Sequence, residues 1–133
     1  MDIEYAEPSE LEIKLEKMAI FMECSRKVVK YEVEVWNSSN ESYWDWTEGE
    51  RWVDKDGQVL NEEDYHGDSL LYHADWNWLH PVIKKVYDIV SFQMDFELHL
   101  EQTLEALKWH TFMGHIKEAF NICNRLIDKI NSK

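Results

Sequence analysis

Three histidines, His66, His73 and His80, stand seven residues apart with Asp68 and Asp75 nearby, and Glu63-x-x-His66 has the spacing used in di-iron carboxylate bundles. On a helix, positions seven apart are separated by roughly 10 Å of rise, too far to share one ion. A di-iron centre also needs a second Glu-x-x-His and two further glutamates, and there is no His-Glu-x-x-His. Solvated or hydrogen-bonded histidines are the expected reading. A small metal-dependent or hydrolytic enzyme built on the His66/His73/His80 region is the alternative.

Asp54-Lys55-Asp56-Gly57 opens like a calcium loop, but Val59 stands where the loop needs glycine and Tyr65 where it needs glutamate. A surface turn is expected there. Cys123 falls on an apolar helical stripe, where a thiol acts as a small hydrophobe. Cys24 falls near a helix C-terminus, whose partial negative charge discourages a thiolate. No Gly-x-Ser-x-Gly elbow and no glycine-rich phosphate loop occur among the four glycines. No catalytic, cofactor or metal site is expected, and the chain reads as non-enzymatic.

The strongest local signal is charge with aromatics. Between Glu32 and Asp68 there are twelve acids against Arg51 and Lys55, a net −10 of the chain's −13. Trp36, Tyr43, Trp44, Trp46, Trp52 and Tyr65 are interleaved with them. Carboxylates that steer an encounter and tryptophans that anchor it make a surface for a basic partner. The candidate partner-binding residues are Trp44, Asp45, Trp46, Glu48, Glu50, Trp52, Asp54 and Asp56. Trp44 and Trp46 alternate with acids and could point one way each. The bland alternative is an acidic, solvated loop layer whose tryptophans fold back onto the sheet. A tryptophan-lined ligand pocket around Trp44, Trp46, Trp76 and Trp78 is a third possibility.

Several elements must position these residues. Ser9 and Glu12 form a capping box ahead of a helix over 10–24, whose face carries Leu11, Leu15, Met18 and Met22. Val29, Tyr31, Val33 and Val35 alternate with Lys30, Glu32 and Glu34, a half-buried strand that Asn37-Ser38-Ser39-Asn40 breaks. Residues 37–70 are expected to be an irregular acidic segment, with a short hairpin where Val53 and Val59-Leu60 flank Asp56-Gly57. A helix over about 76–90 carries Leu79, Val82, Ile83, Val86, Ile89 and Val90, with Asp75 as N-cap. Pro81 either kinks it or sits at the first position of a later start. Phe92, Met94, Phe96, Leu98 and Leu100 alternate with polar residues and predict a second strand, although Phe92, Phe96, Leu100 and Leu104 also fit a helix. Phe112, Ile116, Phe120, Cys123, Ile127 and Ile130 predict a final helix over about 112–131. The expected fold is α+β, one small domain over 1–133, with about three helices packed on a short antiparallel sheet.

With 133 residues, 44% apolar content and seven tryptophans, the chain has the composition of a folded domain and not of a disordered acidic tail. Met1–Glu10 carries acids in place of a basic n-region, and no apolar run approaches the ~20 residues that span a bilayer. A cytoplasmic location is expected. The negative charge disfavours direct binding to nucleic acid or anionic lipid.

The stretch Tyr72-His73-Ala74-Asp75-Trp76-Asn77-Trp78-Leu79-His80-Pro81-Val82-Ile83-Lys84-Lys85-Val86 resembles a Tyr-His-x-x-Trp-x-Trp-Leu-x-Pro-Val-apolar-x-Lys signature. That signature belongs to small uncharacterised proteins carried by bacteriophages and mobile elements. Residues 116–131 are similar to the helix that closes those proteins. His80 stands where the family more often has methionine. The resemblance implies a small accessory protein of a phage or mobile element. Together these readings predict binding to a protein partner, in the sharper form a nucleic-acid-binding protein deceived by DNA-like charge.

Overall fold

The computed structural model describes residues 9–61, 69–93 and 98–132. The chain is α+β, in the order α1 (Glu10–Phe21), β1 (Ser25–Trp36), β2 (Ser42–Val53), α2 (Trp76–Gln93), α3 (Leu98–Met113) and α4 (Ile116–Asn131). Among the described residues four helices thus stand where about three were expected. The chain groups into two compact units: Met1–Phe21 with Leu71–Lys133, and Met22–Leu70.

The first unit is helical. Ser9 Oγ accepts the Glu12 N–H at 3.1 Å and starts α1, the N-cap half of the expected capping box. The helix stops at Phe21, short of the expected 24, and Glu23 turns to φ 64°. The Lys85 ammonium donates to the Phe21 carbonyl and lies 4.6 Å over its ring, which satisfies one carbonyl at the helix end. Asp75 Oδ1 accepts the Asn77 N–H at 2.8 Å and caps α2. Pro81 lies inside α2, so Trp76–Leu79 is the first part of one helix and not a separate turn. Asn77, whose carbonyl would pair with an N–H at position 81, is exposed.

The strand expected over 92–100 is not found among the described residues. Phe92 lies in the last turn of α2, and the chain from Leu98 on is α3; Met94 and Phe96 lie outside the described residues. The helical period wins because Leu100, Leu104 and Leu107, spaced four and three, are all buried on one face of α3. Phe112 belongs to α3 and is 88% exposed, so the final helix begins at Ile116 and not 112. Gly114, at φ 76°, separates the two helices.

α4 contacts each of α1, α2 and α3, and it buries Ala119, Phe120, Ile122, Cys123, Leu126 and Ile127. Lys17 crosses from α1 to Asp128 at 2.8 Å. Burial pushes the Cys123 thiol up from its ordinary 9.0 to about 12. The folded chain therefore keeps this proton where the unfolded chain loses it. Stability from this group is intact below about pH 9 and falls by at most about 1.4 kcal/mol per pH unit between there and about 12. At pH 8, native Cys123 is expected to resist iodoacetamide while the urea-unfolded chain is alkylated, as read by peptide mass spectrometry. Rapid native alkylation would contradict the buried placement.

The second unit is built on a two-stranded antiparallel ribbon, paired in unbroken register from Ser25↔Val53 to Trp36↔Ser42. Residues 42–53, expected to be irregular, are thus a regular strand. Asn37 closes the tip: its Oδ1 accepts the N–H groups of Ser39 (2.9 Å) and Glu41 (3.0 Å). Asn40 takes φ 61°. The hairpin expected around Asp56-Gly57 is a tight turn closed by a Val53↔Val59 bridge, with Gly57 at φ 84°.

Candidate interaction surface

Residues directly opposite in the ribbon share a face, and side chains alternate along each strand. One face carries Val29, Tyr31, Val33 and Val35 of β1, all half-buried as the alternation predicted. Opposite them lie Gly49, Thr47, Asp45 and Tyr43. The Tyr31 ring covers Gly49, where an added Cβ would come within 3.0 Å of the phenol oxygen. The buried Arg51 guanidinium stacks 4.9 Å from that ring, and its Nη2 donates to the Asn61 carbonyl at 3.1 Å.

The other face pairs Arg26 with Trp52, Val28 with Glu50, Lys30 with Glu48, Glu32 with Trp46, Glu34 with Trp44, and Trp36 with Ser42. Near the tip this face is aromatic and acidic. Trp36, Trp44 and Trp46 are 63%, 57% and 65% exposed, and Glu32 and Glu34 stand among them. Trp44 and Trp46 therefore point the same way, because residues two apart on a strand share a face. Toward the base the charges are compensated, Lys30 lying 3.8 Å from Glu48 and Arg26 3.6 Å from Glu50. Glu32 and Glu34 have no ion pair among the described residues. A hollow of about 520 Å³ is lined by Tyr31, Glu32, Trp44, Trp46 and Arg51, among others.

The eight sequence-predicted residues divide on this geometry. Trp44, Trp46, Glu48 and Glu50 share the exposed face. Trp52 is on that face but buried, with the Arg26 guanidinium 5.8 Å from its ring. Asp45 is on the opposite face, and its Oδ1 accepts the Trp46 N–H at 2.8 Å. Asp54 Oδ1 accepts the N–H groups of Asp56 (2.8 Å) and Gln58 (3.0 Å), so this carboxylate organises the turn. Asp56 is exposed beyond the strand. Trp36, Glu32 and Glu34, which are not among those eight, complete this face. Their signal was the alternation of β1, which already set both glutamates on the solvent side, but only the register brings the tryptophans over them.

Among the described residues the histidine region supplies no comparable constellation. His66 and Glu63 lie outside the described residues. His73 packs against the Phe120 ring at 6.2 Å, with Nδ1 buried and unpartnered among the described residues. His80 is exposed against Trp76, 5.2 Å between ring centres. Among the described residues no group of three or more His, Cys, Asp or Glu is arranged to hold a metal ion. Trp78 meets Tyr72 edge-on at 5.2 Å within the helical unit, while Trp44 and Trp46 belong to the ribbon. Among the described residues no helix is long and apolar enough to cross a membrane.

No protein-family model, curated protein or solved structure matches the chain.

Proposed function

We propose that the chain is a non-enzymatic interaction protein that binds a basic protein partner through the Trp36/Trp44/Trp46 face of the ribbon. One observation carries this: three exposed tryptophans share a strand face with Glu32 and Glu34. Large, rigid rings supply anchor area, and carboxylates around them raise the encounter rate with positive surfaces and exclude acidic ones. A merely solvated loop layer would have no reason to hold tryptophans out on a paired strand, where burial of each ring would be favourable.

In its sharper form the partner is a nucleic-acid-binding protein whose basic groove accepts the acidic ribbon in place of DNA, so that duplex DNA competes for it. The resemblance at Tyr72–Val86 supports a phage or mobile-element origin for such an accessory protein.

Affinity capture from host lysate at low and moderate salt is the test, followed by titration of the captured protein. A basic protein released progressively by salt is expected. Neutralising Glu32→Gln and Glu34→Gln together is expected to weaken it about tenfold, with a shallower salt dependence. Affinity indifferent to both salt and the neutralised pair contradicts the proposal.

A further inference from the structure

The corner between α3 and α4 holds a pair of histidines that neither the signature nor the acidic ribbon involves. Their approach is dictated by the backbone. The Gly114 N–H donates to the Thr111 carbonyl at 3.3 Å, and the His115 N–H reaches back five residues to the His110 carbonyl at 2.8 Å. With Gly114 at φ 76°, this is a Schellman closure, which brings the side chains flanking the turn into contact. Hydrophobic residues usually fill those two positions; here both are histidine. His110 Nδ1 and His115 Nδ1 lie 3.1 Å apart, and both rings are partly accessible. The Trp109 ring stands 5.0 Å from the His110 ring and 5.4 Å from the His115 ring, each edge-on, and limits their movement.

We infer that His110 and His115 form a two-nitrogen clamp for a borderline divalent transition-metal ion. Two nitrogens 3.1 Å apart, each about 2.0–2.1 Å from a shared ion, subtend an angle of about 100° at it, between square-planar and tetrahedral values. A shared ion would sit beside the line joining the two nitrogens, with each Nδ1 lone pair turned toward it. A ring that carries its proton on Nε2 offers the Nδ1 lone pair to an ion. Among the described residues no third His, Cys, Asp or Glu joins them, which leaves the remaining positions to water. Two imidazoles with open positions favour copper(II) most, then nickel(II) and zinc(II).

The test is titration of the full chain with Cu²⁺, read by calorimetry and by electron paramagnetic resonance. One ion with two nitrogen ligands is expected, together with partial quenching of tryptophan fluorescence that Trp109→Phe reduces. His110→Asn and His115→Asn, each shown to be folded by circular dichroism, are expected to weaken binding at least about tenfold and to remove the two-nitrogen signal. His99→Asn, an exposed histidine elsewhere on α3, is expected to change nothing. Binding unchanged in both clamp variants, or lost only on substitution of His66, His73 or His80, overturns the inference.

Discussion

Ile127→Ala is expected to lower the unfolding free energy of the helical unit by about 2–5 kcal/mol, the range for truncating a fully buried aliphatic side chain. Ile127 has no solvent exposure, and it lies on α4, the helix that contacts α1, α2 and α3. A void there removes packing at the element that the other three share, and close-packed neighbours refill such a space only in part. Ile130, one turn further on and only half-buried, is the internal control; its truncation is expected to cost clearly less. Urea unfolding followed by far-ultraviolet circular dichroism measures both. Equal losses at the two positions would contradict the fully buried placement of Ile127.

The second large effect concerns binding. Trp44→Ala with Trp46→Ala is expected to weaken partner binding at least about 100-fold, since truncation of each interface anchor costs on the order of 2 kcal/mol or more. Fold stability should change little, because both rings are more than half exposed and their direct cross-strand neighbours are Glu34 and Glu32. Tyr43→Ala, exposed on the opposite face, is the matched control for loss of aromatic area. The contrast between the two faces separates an interface from general stickiness of the ribbon.

Local chemistry made much of this architecture legible. Ser9, Asp75, the Asn37–Asn40 turn and the alternation of β1 each follow from side chains acting on adjacent backbone. β2 was hidden because neither of its faces is uniformly apolar: Trp44 and Trp46 share a face with Glu48 and Glu50, and Tyr43 shares one with Asp45 and Arg51. Its partner strand fixes its register, and that information is non-local. At the described ends of the expected strand the difference is one of period: Phe92 lies in α2, and Leu100, with Leu104 and Leu107, follows a helical repeat in α3. Phe112 falls on the apolar spacing of the last helix but belongs to α3, which Gly114 ends with its left-handed backbone. For the candidate surface, composition located the segment but not its face. Trp52, Asp45 and Asp54 are used in packing and in local hydrogen bonds, whereas Trp36, Glu32 and Glu34 join the exposed tryptophans only once β1 and β2 are paired.

The most direct test of the interaction surface is a side-by-side capture from host lysate with three baits: the native chain, the Trp44→Ala/Trp46→Ala variant and Tyr43→Ala. Each is first shown to unfold at the same urea concentration, and retained proteins are quantified by mass spectrometry. The tryptophan face predicts a basic protein held by the native chain and by Tyr43→Ala, and lost from the double variant. Equal retention by all three baits would contradict it.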